Sequence, residues 1–373
     1  VQTERPAITQ VSADELAVPE ELSRRKLRSR LLVACAILLA VVVVITLLPG
    51  LGSLRSRLAH TKPAWVAVGV ALKLLSGVGY VAVFRMIFCR RMSWRVSTQV
   101  GMSELGANAL FPTGGAGGLA LGAWALRRGG MQRREIARRT VAFFLLTSVP
   151  NVLGVILIGF ALALGVLSGE RNLLLTALPA AIAVAAVAAT LIAGRLAGRR
   201  GERLHHHSEP SKWVRAQREG LRALAEGVQE SLVRLREGNA ILIAGLLAYL
   251  VFDVLILWAG FRALGASPPI AILALAYLIG ELGGLIPVPG GIGGVDAGLF
   301  GTLVLYHVSI TAAAGAVLIY RAIALWVPAL AGSAAFVALR RTLRDEAEQV
   351  AVCAPQTEME IIGVGRAVVH IKR

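Results

Sequence analysis

A chain of 373 residues that is 56% hydrophobic and only 16% charged, with a mean hydropathy of +0.69, is too apolar for a single soluble core, because soluble domains carry about 25% charged residues. Its net charge of +17 sits in loops between apolar segments, which is the positive-inside pattern of a polytopic membrane protein. No groove-reading or base-stacking motif accompanies that charge, which argues against nucleic acid as a partner.

In chain order, residues 1–30 form a polar tail ending in Arg24, Arg25, Lys26, Arg28 and Arg30, a cluster that holds the N-terminus in the cytoplasm. The apolar run after it is long and lacks a small-residue cleavage site, so no cleavable signal is expected. A first span runs from Leu31 to Leu48 and a second from about Pro63 to Phe88, with Arg90, Arg91 and Arg95 following. Residues 98–126 are apolar but broken between Pro112 and Gly118, and Arg127, Arg128, Arg133, Arg134, Arg138 and Arg139 come next. Both flanks of this segment are basic, so it makes an even number of passes, most simply a re-entrant hairpin. Spans at about 140–167 and 173–194 complete a first membrane half, 31–194.

Residues 195–238 form a basic cytoplasmic loop. Within it Val214, Leu221, Leu224, Val228, Leu232 and Leu235 recur near helical spacing, which predicts an amphipathic helix on the membrane surface. The second membrane half, 239–340, contains a span at about 240–264, an uncharged connection at 265–269, a broken hairpin at 270–310 and a last span at about 313–339, closed by Arg340, Arg341 and Arg344. A cytoplasmic tail occupies 341–373. The cysteines Cys35, Cys89 and Cys353 have the spacing of neither a metal site nor a disulfide framework and read as free thiols.

The two halves repeat one another. Glu104-Leu105-Gly106, Pro112 and the glycine run 114–118 recur as Glu281-Leu282-Gly283, Pro289 and the run 290–294, at an offset of 177 residues (281 less 104). Phe84-Arg85 and Phe261-Arg262 keep that offset, and Val149-Pro150 and Val327-Pro328 keep it within one residue. The connection 89–97 is basic whereas its counterpart 265–269 carries no charge, which places the two copies on opposite sides of the membrane. The expected fold is an all-α polytopic membrane protein, an inverted repeat of about six full transmembrane helices and two re-entrant hairpins, one dipping from each side.

Charged groups inside apolar segments mark the chemistry, because a carboxylate there costs roughly 2.5–3.5 kcal/mol on insertion scales. Glu104 and Glu281 either cap the broken hairpin tips or line a polar path. Lys73 and Asp253 lie near the centres of matched spans, and a pair between them across the pseudo-twofold axis is one arrangement that this placement allows, though the spacing specifies it only weakly. Arg321 lies about a third of the way into the last span, and Asp296 just after the second glycine run. Arg85 and Arg262 stand near span ends and are expected to snorkel. Prolines and glycines at the breaks free backbone groups that can bind an ion or a phosphate. The candidate translocation path is therefore Lys73, Glu104, Asn108, Pro112, Gly114, Gly115, Asp253, Glu281, Pro287, Pro289, Gly290, Gly291, Gly293, Gly294, Asp296 and Arg321.

Gly115 to Ala120 can be forced into a G-x-G-x-x-A pattern, but the strand and soluble βαβ unit of a dinucleotide fold are missing. His205-His206-His207 has no cysteine or carboxylate ligand set around it and reads as incidental. No catalytic constellation, cofactor motif or metal site is expected, and the chain does not read as an enzyme.

The motif Glu104-Leu-Gly with Pro112-Thr-Gly-Gly-Ala-Gly-Gly118, and above all the stretch from Glu281 to Gly298, resembles the lysylphosphatidylglycerol synthase transmembrane-domain (flippase-like) family over about residues 27–340. The family's best-known members join this region to a soluble aminoacyl-transferase domain and move aminoacylated lipid between leaflets. The 33 residues after Arg340 are too few for such a domain, so synthase activity is not expected. The resemblance implies a multi-pass protein of the plasma (inner) membrane, with both termini cytoplasmic, moving a polar-headgroup phospholipid or polyprenyl-linked lipid. Membrane lipids, and a lipid-synthesising enzyme, are the partners it implies. The alternatives are a small-solute or ion-coupled secondary transporter, a membrane-embedded lipid-modifying enzyme, and a non-catalytic scaffold.

Overall fold

The computed structural model describes residues 52–110, 116–167, 177–185, 212–283 and 294–345, with the isolated positions Ser29, Leu32, Ala188, Ala189 and Ile192. These residues are helical or in short connections, and no strand occurs among them. The elements are α1 (Gly52–Ala59), α2 (Pro63–Phe88), α3 (Trp94–Leu110), α4 (Ala116–Arg128), α5 (Arg133–Ala163), α6 (Lys212–Arg236), α7 (Ala240–Ala263), α8 (Ile270–Gly283), α9 (Gly294–Leu305) and α10 (Ile310–Asp345), with a further helical stretch at 177–185.

Four of them, α2, α5, α7 and α10, are long and apolar enough to cross a membrane. The 24 residues of α7 extend about 36 Å at 1.5 Å per residue, against about 30 Å of hydrocarbon. The expected span at 31–48 lies outside the described residues apart from Leu32, and the one at 173–194 lies only partly within them. Each expected broken hairpin contains two helices in contact, α3 with α4 and α8 with α9. The N-terminal tail, the histidine run and the C-terminal tail beyond Asp345 lie outside the described residues.

Local chemistry starts these helices cleanly. Pro63 opens α2, where its missing N–H costs nothing and its φ is already helical. Asn239 caps α7, its side-chain oxygen accepting from Ile241 N at 3.1 Å and Leu242 N at 3.2 Å, so two of the four free N–H groups at that end are satisfied.

The central contact is between α2 and α7, which lie antiparallel: Trp65 meets Trp258, Lys73 meets Asp253, Ser76 meets Tyr249, and Gly79 meets Gly245. Glycines permit the close approach. A Cβ on Gly79 would stand 2.8 Å from the Gly245 carbonyl oxygen, and one on Gly245 would stand 3.0 Å from that of Gly79. Between apolar helices in lipid, small residues of this kind allow the packing that holds the helices together. The remaining contacts are reciprocal under the 177-residue offset. In one half α3 packs on α10, and in the other its counterpart α8 packs on α5. Gly332 of α10 lies against Gly106 and Met102, while its counterpart Gly154 of α5 lies against Leu278.

The apolar core divides accordingly. One cluster joins the C-terminal part of α2, α3, α4 and the start of α5 to the beginning of α7 and the end of α10. The other joins the far ends of α5 and α7 to α8, α9 and the beginning of α10.

The expected basic amphipathic helix is present as α6, and it packs parallel to α5. Gly227 lies against Val141, Ser231 Oγ donates to the Ala142 carbonyl at 3.4 Å, Arg138 pairs with Glu230 at 2.9 Å, and Arg134 pairs with Glu226. The acidic row of α6 finds its partners in the basic first turns of α5, which begins seven residues before the apolar run (140 less 133). One expectation is corrected: Cys89 is disulfide-bonded rather than a free thiol, and the other two cysteines lie outside the described residues.

Candidate functional site

A charged array crosses the interior of the helix bundle. Lys73 and Asp253 are 8% and 3% exposed, and they form an ion pair, with Lys73 Nζ 2.9 Å from Oδ1 and 3.0 Å from Oδ2 of Asp253. The antiparallel crossing of α2 and α7 sets these side chains opposite one another. Tyr277 of α8 donates a third hydrogen bond, to Asp253 Oδ2, at 3.4 Å. The Lys73 ammonium also lies 5.9 Å from the centre of the Tyr249 ring. A buried ion pair persists only when its remaining bonding capacity is met in this way.

Glu281 follows Tyr277 by one turn of α8, and Asp253, Arg321 and Lys73 are the charged groups in electrostatic reach of it. Arg321 forms a second ion pair, with Asp296. Their side chains are 36% and 31% exposed, so this pair is more open than the first. Asp296 stands in the first turn of α9, where a helix dipole favours negative charge. Tyr320, beside Arg321, meets Tyr277 edge-on with 6.2 Å between ring centres. Five helices, α2, α7, α8, α9 and α10, thus contribute to one array.

Glu104 is not part of it. The carboxylate is 2% exposed and lies between α3 and α4, where a Cβ on Gly122 would stand 3.3 Å from the carboxylate. Tyr80 of α2 is its polar neighbour, and Oε2 is buried with no hydrogen-bond partner. Tyr80 meets Tyr249 with 5.6 Å between ring centres, and Tyr249 touches the Lys73–Asp253 pair. Asn108 has a local role, since its Oδ1 accepts from Gly118 N at 2.9 Å and so joins the two helices across the first break.

Gly294 begins α9. Pro112, Gly114, Gly115, Pro287, Pro289, Gly290, Gly291 and Gly293 lie outside the described residues. Arg85 and Arg262 stand near the ends of α2 and α7, each against aromatic rings. Arg85 Nε donates to the Met92 carbonyl at 2.7 Å and stacks 4.7 Å from the Trp94 ring centre. Arg262 lies over Trp65 and Trp258 at 5.2 and 5.8 Å. Cations are attracted to aromatic faces in this way.

The residues that sequence reasoning passed over are the tyrosines. Four of the chain's five, Tyr80, Tyr249, Tyr277 and Tyr320, touch the array or Glu104. Their signal was spacing: Tyr249 precedes Asp253 by four residues, Tyr277 precedes Glu281 by four, and Tyr320 adjoins Arg321.

Comparison with known families gives one result. The model of the lysylphosphatidylglycerol synthase TM region matches residues 31–332, and the chain belongs to that family. No curated protein matches it.

Proposed function

We propose that this family member is a lipid translocase, passing a polar headgroup between the leaflets of the plasma membrane while the acyl or prenyl chains stay in lipid. The observation that carries the reading is the Lys73–Asp253 pair with Glu281 and Arg321–Asp296 beside it, in helices otherwise built for hydrocarbon. Packing does not need these charges, and each one is expensive to bury. A headgroup crossing about 30 Å of hydrocarbon does need them, because its own polar groups require partners along the way.

The antiparallel contact of α2 and α7 and the reciprocal packing of the two halves support an inverted repeat. On that reading the two broken helix pairs are re-entrant hairpins from opposite leaflets, meeting a central path. The array draws on α8 and α9 of one hairpin, and Tyr80 and Tyr249 connect it to Glu104 in the other.

Replacing Glu281 with Gln keeps shape and hydrogen bonding and removes the charge. In liposomes that carry anionic, aminoacylated and polyprenyl lipids in turn, the wild type is expected to expose one class to the opposite leaflet faster than protein-free liposomes do. Glu281→Gln should fold and lose most of that rate. Equal rates for the two proteins would remove Glu281 from the path. No transport of any class by the wild type would favour the solute-transporter or scaffold readings.

A further inference from the structure

The described membrane interior holds four carboxylates, Glu104, Asp253, Glu281 and Asp296, and two cations away from its rims, Lys73 and Arg321. Both cations are committed, Lys73 to Asp253 and Arg321 to Asp296. Arg85 and Arg262 are held at the span ends by a carbonyl and by tryptophan rings. The apolar segments 31–50, 111–115, 172–194 and 284–293 contain no Lys, Arg or His, so they bring no further fixed cation. Two carboxylates are left over, and they are the pair matched by the repeat, Glu104 and Glu281.

Their surroundings differ: Glu104 is buried beside uncharged groups, whereas Glu281 is half-buried beside cations that are already paired. α2 presents Tyr80 to Glu104, α4 presents Gly122, and among the described side chains of α10 no charged one is in electrostatic reach of it. One oxygen of this 2% exposed carboxylate has no hydrogen-bond partner. Glu281 faces Lys73 from α2, Asp253 from α7 and Arg321 from α10, with Tyr249, Tyr277 and Tyr320 around it. Both of its cationic neighbours are already bonded to other carboxylates. A carboxylate inside an apolar helix bundle without a counter-charge of its own takes up a mobile one.

We infer that Glu104 and Glu281 each hold an exchangeable monovalent cation, a proton or a sodium ion, one site in each half of the repeat. Resting on the translocase reading, this makes lipid movement ion-coupled. Tyr80 and Tyr249 bridge the two sites through contacts on the Lys73–Asp253 pair, so occupancy of one is felt at the other.

The test needs no lipid transport. The full chain in lipid nanodiscs is followed by infrared difference spectroscopy of its carboxyl bands. One arm is a pH jump in sodium-free N-methylglucamine buffer, and the other is a sodium jump at fixed pH. The wild type is expected to show two carboxyl components, one lost in Glu104→Gln and the other in Glu281→Gln. Response to pH alone identifies a proton site, and response to sodium at fixed pH identifies a sodium site. Glu104→Asp and Glu281→Asp, which keep the charge, should shift the components without abolishing them, and they serve where a Gln variant does not fold. The inference is overturned if neither jump produces a component that any of these four variants removes or shifts. Because the readout is ion binding, it stands or falls separately from the liposome assay.

Discussion

At the scale of single residues the Lys73–Asp253 pair makes a sharp demand. Each partner pays a desolvation cost, and only the pair, completed by the Tyr277 hydroxyl, offsets it. Asp253→Asn leaves an ammonium buried without its counter-charge and is expected to destabilise the protein by about 3–5 kcal/mol. The double variant Lys73→Met with Asp253→Leu leaves no charge behind and should recover most of that loss, as apolar replacements of buried pairs often do. Thermal unfolding in detergent checks both, and a double variant as unstable as Asp253→Asn would contradict the argument. The pair was legible in the sequence because its two charges interrupt matched apolar spans. The tyrosines around it were not, because a tyrosine in an apolar run carries no charge and its hydroxyl partner lies on another helix. The placement of Glu104 outside the electrostatic reach of Glu281 has a similar cause. Matched positions in a repeat fix equivalence, whereas distance depends on how the two halves pack.

At the scale of elements, close helix approach rests on glycines whose missing Cβ atoms are filled by a neighbour. A Cβ on Gly332 would stand 2.5 Å from both Gly106 Cα and the Met102 carbonyl oxygen, so Gly332→Leu must push α10 away from α3. Overpacking of this kind typically costs 1–3 kcal/mol, occasionally more, and a contact between backbones has no flexible side chain to absorb it. Gly301 in α9 is the control, since a Cβ there meets nothing within 4 Å. Gly301→Ala should leave stability unchanged or raise it by up to about 1 kcal/mol, from helix propensity alone. Melting temperatures that fall equally for both variants would show that the glycines do not act through contact. The helix breaks were readable from proline and glycine, and the amphipathic pattern of α6 from its period. Its partner was not readable, because the row Glu226 and Glu230 acquires meaning only against Arg134 and Arg138 of α5, and nothing in the period of one helix names the helix it will lie against.

At the scale of the whole molecule, the repeat read from the 177-residue offset becomes a statement about direction. Two equivalent helices that pack antiparallel, as α2 and α7 do, point opposite ways through whatever surrounds them. If that surrounding is a bilayer, the connection after α2 and the connection after α7 emerge on opposite sides. Their charges agree: the first carries Arg90, Arg91 and Arg95, and the second, 265–269, carries none, as positive-inside sorting requires. Arg91 and Ser267 are both exposed and mark the two connections. With the native cysteines replaced, a membrane-impermeant maleimide applied to intact spheroplasts should label Ser267→Cys and spare Arg91→Cys, and inside-out vesicles should reverse the pattern. Labelling of both from the same side would mean that the antiparallel pair does not span the bilayer as equivalents, and the inverted repeat would have to be abandoned.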